Sequence, residues 1–147
     1  MLLYRPLGLQ ELRLVAGAAW RTWPPRLPHQ PIFYPALTFE YARAIAQDWN
    51  TRDEASGFVG FVSRFKLDDA FAARYPIKRV GGRSHDELWV PATDLPAFNE
   101  HIRGFIEIVA AFVGPRFTGS LDPVSHLPPD LPPPVVSGAP TSPTMTP

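Results

Sequence analysis

Proline decides what this chain can fold into. Of 19 prolines, four stand at 24, 25, 28 and 31, others follow or interrupt short apolar runs at 6, 35, 76 and 91, and nine fall in the last 30 residues. Each removes a backbone donor and fixes φ, so proline is confined to strand edges, bulges, turns and the first turn of a helix. The 147 residues, enough for one domain with a core, are therefore read as short strands separated by turns and a few helices.

In chain order, Leu2–Arg5 reads as an opening strand broken by Pro6 and Gly8. Leu9, Leu12, Val15, Ala16 and Ala19 repeat at helical spacing and predict a helix over 9–19. Residues 20–31 form a loop whose Trp20 and Trp23 pack on the core rim or on a ligand. Ile32-Phe33-Tyr34 is a strand closed by Pro35, and Thr38 caps a helix over 38–49 with Tyr41, Ala42, Ile45, Ala46 and Trp49 on one face. Phe58–Phe65 is apolar on both faces, as a central strand requires. Asp68 caps a short helix through Ala73, residues 74–80 make a further strand with Pro76 at an edge or bulge, and Gly81-Gly82 turn the chain. Ser84-His85-Asp86-Glu87 then lead into a strand at 86–90 that Pro91 ends. A helix over 94–103 follows, and Ile106, Ile108, Ala110 and Phe112 alternate as in a last strand, although a helix there stays open.

The expected fold is α+β: a single domain over 1–117 with a small, mostly antiparallel sheet of about six strands and flanking helices. Residues 118–147 carry only Asp122 and Asp130 as formal charges and read as a disordered, proline-rich tail, either inert or a docking peptide in polyproline II form.

Composition narrows the chemistry. Fourteen basic residues balance 14 acidic ones, so no overall field favours a polyanion such as nucleic acid. Arginine outnumbers lysine 12 to 2, which fits genome composition as well as a need to grip phosphate. The absence of cysteine excludes disulfides, thiolate metal sites and a cysteine nucleophile. The four histidines offer no helix-face pair for zinc, so no metal is expected. With no signal-like start and no apolar run near the ~20 residues of a membrane span, the expectation is a cytoplasmic protein without membrane attachment.

Tyr4-Arg5, Tyr34, Tyr41 and His85 to Glu87 supply a guanidinium, aromatic faces and a carboxylate. Such a set suits a ligand with phosphates and a flat cationic ring, such as NAD, because arginine pairs with diphosphate, aromatic faces attract a cationic heterocycle and a carboxylate stabilises an oxocarbenium ion. Each residue also has a plainer use: Arg5 as a strand-edge ion-pair partner, the tyrosines as core-rim aromatics, His85 as a solvated side chain.

The order Tyr4-Arg5, Ile32-Phe33-Tyr34 with Glu40-Tyr41-Ala42, then Glu87-Leu88-Trp89-Val90-Pro91 resembles the three-part signature of the ADP-ribosyltransferase fold, a split-sheet α+β architecture. Residues 2–113 also resemble short bacterial proteins loosely labelled ADP-ribosylation and crystallin-like. The resemblance implies NAD as substrate, Tyr4 and Arg5 at its ribose or phosphates, Tyr34 or Tyr41 stacked on nicotinamide, and Glu87 as the catalytic carboxylate assisted by His85. It implies transfer of ADP-ribose to an acceptor, whether protein, nucleic acid or small molecule, or else an inactive nucleotide- or protein-binding module of the same fold. His85 stands where arginine-directed transferases carry a second Glu, and the central strand lacks Ser-Thr-Ser, so the match lies nearer the His-Tyr-Glu branch with Arg5 in place of His. The crystallin-like half of the label implies a larger helical glycohydrolase with paired aspartates holding magnesium. Asp68-Asp69, the sole adjacent aspartate pair here, reads instead as a helix cap and a solvated neighbour.

Overall fold

A computed structural model describes residues 1–81 and 85–135. Ser84, Gly82 and the end of the expected tail, 136–147, lie outside the described residues. The remaining chain is α+β. Its strands are β1 (Leu2–Leu7), β2 (Ile32–Phe33), β3 (Val59–Leu67), β4 (Ile77–Arg79), β5 (Asp86–Leu88), β6 (Val90–Pro91) and β7 (Ile102–Val113). Its helices are α1 (Leu9–Gly17), α2 (Phe39–Asp48), α3 (Asp69–Ala72) and α4 (Leu95–Glu100).

β3 is the centre of a three-stranded antiparallel sheet in the order β1-β3-β7, as its apolar character on both faces requires. β2 pairs with β6, and β4 with β5. Ala36 joins the pieces, bridging Tyr4 of β1 on one side and Glu87 of β5 on the other. Ala36 N–H donates to Tyr4 O at 2.7 Å, Tyr4 N–H returns at 2.9 Å, and Leu37 N–H and Leu88 N–H reach Asp86 O and Pro35 O. Residues 32–36 and 86–91 thus link the three-stranded sheet to the two two-stranded pairs through isolated bridges, so the antiparallel pairing expected from the sequence is divided among three sheets instead of forming one of about six strands. Tyr34-Pro35 interrupts the first of these segments and Trp89 the second.

One face of the sheet is covered by α2. Thr38 Oγ1 accepts the Tyr41 N–H at 3.1 Å and starts this helix where the sequence places it. Ala42 and Ala46 are buried against Ala36 and Val62. The approach is close: a Cβ on Gly60 would lie 2.2 Å from the Ala46 carbonyl oxygen. The other face holds the main core, where Leu3, Leu12, Phe33, Phe61, Phe65 and Phe98 meet Trp20 and Trp23. The proline-rich loop therefore anchors its tryptophans in the core, Trp23 edge-on to Phe65 at 5.3 Å.

Two further expectations shift and one open alternative closes. The last helix stops at Glu100 because Ile102 and Arg103 pair with Leu67 and Lys66 of β3, and β7 runs through Gly104, whose φ of +78° sits in a bulge opposite Arg64–Lys66. Residues 105–113 are strand, which resolves the helix alternative. The second shift concerns 118–135, expected to be disordered: Leu127 is 3% exposed within the core cluster, Leu121 and Leu131 pack against it, and Trp20 Nε1–H donates to Pro132 O at 3.0 Å. Arg13 pairs with Asp130 at 2.5 Å. A proline-rich segment loses little further backbone freedom on docking, so a few leucines suffice to hold it.

Candidate functional site

Glu87 lies in β5 and is 7% exposed. Tyr41 Oη–H donates to its Oε1 at 2.7 Å, and Trp89 Nε1–H donates to its Oε2 at 2.8 Å. Each donor has a traceable origin. Thr38 starts α2 so that Tyr41 falls in the first turn facing the sheet, and Trp89 follows Glu87 by two positions, the spacing that returns a strand residue to the same face. Charge-assisted bonds of this kind hold a carboxylate in one orientation, and each oxygen retains a second lone-pair direction for a ligand. Burial, and then the hydrogen bond and charge of Glu87, raise the Tyr41 phenol well above its ordinary value of 10.0, so it remains a donor throughout the physiological range.

Glu87, Tyr41 and Trp89 line a cavity of about 460 Å³ together with Tyr34, Arg5, Ala36, Ile45 and Val80. Its volume lies within the range of small-molecule sites, and a few polar groups on an apolar, aromatic wall are the usual furnishing of one. Arg5 and Glu87 stand on strands separated by Ala36, so ~10 Å of sheet lies between them, two strand spacings. Tyr34 is 37% exposed and meets Trp89 edge-on at 5.6 Å, leaving ring surface open to the cavity. Arg5 is more constrained: Glu11 of α1 takes it by two hydrogen bonds, at 2.7 and 3.1 Å, while its guanidinium lies 4.7 Å from the Phe33 ring centroid.

Arg5, Tyr34, Tyr41 and Glu87 are thus brought to one cavity. Tyr4 is not among the residues that line it; the alternation of β1 turns its ring to the α2 side, edge-on to Phe39 at 6.2 Å. His85 does not line it either, and stacks on Tyr41 at 4.6 Å with the rings 17° apart, where it bears on the position of the phenol. Sequence reasoning passed over Trp89 as a donor, a role that the two-residue offset from Glu87 signals. It also passed over Glu11, which reaches Arg5 only because the turn at Gly8 folds α1 back beside β1. A larger cavity, about 830 Å³, lies elsewhere, between the loop at 22–31 and the start of α4, and carries none of the sequence-predicted site residues.

Asp68 accepts the Phe71 N–H and caps α3, and Asp69 pairs with the chain's amino terminus. No helix among the described residues is long and apolar enough to cross a membrane. No protein-family model, curated protein or solved structure gives a significant match to the chain.

Proposed function

We propose that this protein is an NAD-consuming, ADP-ribosyltransferase-like enzyme whose acting carboxylate is Glu87. One observation carries the reading: a buried carboxylate, fixed by two side-chain donors, faces a cavity that also holds two tyrosines, one of them on α2, and an arginine from β1. Nicotinamide riboside suits that cavity, its cationic ring against Tyr34 and Tyr41 and its ribose 2′-hydroxyl donating to a free lone pair of Glu87. Cleavage of the C1′–N glycosidic bond sends the electron pair out with nicotinamide and leaves positive charge on the ribose, which the nearby carboxylate stabilises before an acceptor nucleophile attacks C1′. Arg5 and the phosphates complete the grip, and the acceptor is any nucleophile that reaches C1′.

A second reading, a binding module without turnover, is favoured by the engagement of Arg5 with Glu11 and by the position of His85 outside the cavity. Calorimetric titration with NAD, run beside an assay for free nicotinamide, separates the two. Binding with nicotinamide release supports the enzyme, binding without release supports a nucleotide-binding module, and failure to bind NAD removes both of these and leaves only a protein-binding module.

A further inference from the structure

Beyond Arg5 and Pro6 the cleft continues into a second cavity of about 400 Å³, which shares Arg5, Pro6 and Ile45 with the Glu87 cavity. Two guanidinium groups, Arg5 and Arg26, and two carboxylates, Glu11 and Asp53, set its character. Arg5 and Arg26 both lie against the Phe33 ring, at 4.7 and 5.8 Å from its centroid, and Glu11 is bonded to Arg5. Arg26 gives its Nε–H to Ile32 O at 3.1 Å and, among the described residues, has no carboxylate within ion-pair distance. Burial and the neighbouring Arg5 depress its pKa, the sign of two positive charges held close in a partly dry cleft. Asp53 also lines this cavity, but its Oδ2 accepts from Ser56 at 2.6 Å.

The same walls suit the rest of a nucleotide. Trp49 is 59% exposed, a large flat surface at the end of α2 on which a base can stack. Asn50, only 5% exposed, gives its amide to Ser56 Oγ at 2.9 Å, tying together two of the residues that line this cavity.

We propose that this second cavity binds the diphosphate of a nucleoside diphosphate moiety, with Arg26 as the open grip and Glu11 as a resident carboxylate that the phosphates displace from Arg5. Carboxylate and phosphate compete for the same planar fork of donors, so Glu11 holds Arg5 in place and lowers its affinity for an incoming anion. The identification of the moiety as the ADP half of NAD rests on the reading of the Glu87 cavity; the diphosphate site itself does not.

The test is calorimetric titration of the full chain with ADP and with adenosine, which lacks the phosphates. ADP is expected to bind at least tenfold more tightly than adenosine. Arg26→Gln, which breaks no ion pair, should bring ADP down to the adenosine level, and Arg26→Lys should retain part of the difference. Glu11→Gln, with folding checked by its melting temperature, should bind ADP about tenfold more tightly than the parent and leave adenosine unchanged. ADP binding no better than adenosine, or indifferent to Arg26→Gln, overturns the site; no gain in Glu11→Gln overturns the competition. ADP binding that follows this pattern without NAD cleavage leaves the diphosphate site standing and removes the transferase reading. NAD cleavage with ADP binding insensitive to both substitutions does the reverse.

Discussion

Replacing Tyr41 by Phe removes one oxygen from the donor pair that holds Glu87 and leaves the ring that stacks on His85 in place. A hydrogen bond to a charged group contributes about 1.5–3 kcal/mol, and the low end applies because the cavity admits water to the carboxylate. Tyr41→Phe should therefore cost about 1.5 kcal/mol in urea unfolding, equivalent to about 4 °C in melting temperature for a chain of this size. Glu87→Gln is nearly isosteric: its Oε1 can accept from Trp89 while its amide donates to Tyr41 Oη, so the geometry survives and only the charge is lost. In a double-mutant cycle the two substitutions should be coupled by about 1 kcal/mol, since Glu87→Gln replaces the charge-assisted bond from Tyr41 by a neutral one and Tyr41→Phe removes it altogether. A Tyr41→Phe protein as stable as the parent, or effects that simply add, would show that the phenol does not hold the carboxylate.

Other consequences are read in the same unfolding assay. Gly60→Ala places a Cβ 2.2 Å from the Ala46 carbonyl oxygen, so α2 must lift from β3 and stability should fall by about 3 kcal/mol or more; a wild-type urea midpoint would refute the close approach. Leu127→Ala should cost about 2–3 kcal/mol, because Leu127 is 3% exposed at the rim of the core, whereas no effect would mean that residues 118–135 do not dock. Asp68, Asp86, Asp122 and Asp130 are all held below their ordinary value of 3.8, chiefly by hydrogen bonds from Arg103, Arg79, the Ser125 backbone and Arg13 respectively. As pH falls, the unfolded chain takes up these protons first, so their contribution is complete above the unfolded carboxylate range and is lost as pH drops through the lower folded values. Circular dichroism should show an acid limb that becomes shallower in Asp68→Asn.

Much of the fold was legible because local rules and tertiary contacts agree in it. The doubly apolar run of β3 marks a central strand, Thr38 caps α2, and the four prolines of the loop exclude regular structure while its tryptophans enter the core. The misreadings arose where distant pairing overrides a local signal. Gly104 reads as a break, yet a bulge against Arg64–Lys66 absorbs it, and the end of the predicted helix is taken up by pairing with β3. Residues 118–135 look too polar and proline-rich to order by themselves, but the surface that orders them, Trp20 and the leucine cluster, comes from elsewhere in the chain.

The site divides in the same way. Glu87, Tyr41, Tyr34 and Arg5 were visible as residue types in a suggestive order, and the bridge through Ala36 gives that order a spatial meaning. Tyr4 faces away because side-chain direction in a strand reverses at each residue, whereas His85, two positions before Glu87 and just outside β5, stays on the Glu87 side but is taken up by stacking on Tyr41. Glu11 and Arg26 could not be found from spacing, since their relation to Arg5 depends on how α1 and the proline-rich loop fold back around Phe33.

The central claim, that Glu87 stabilises the ribosyl cation formed from NAD, is tested most directly by comparing nicotinamide release in the parent and in Glu87→Gln while NAD affinity is measured in parallel. Loss of a preorganised charge at the reacting centre is worth about 100- to 1000-fold in rate. The account predicts a fall of that size with NAD affinity changed by no more than a few-fold and the fold intact by circular dichroism. Equal release by the two proteins would contradict it.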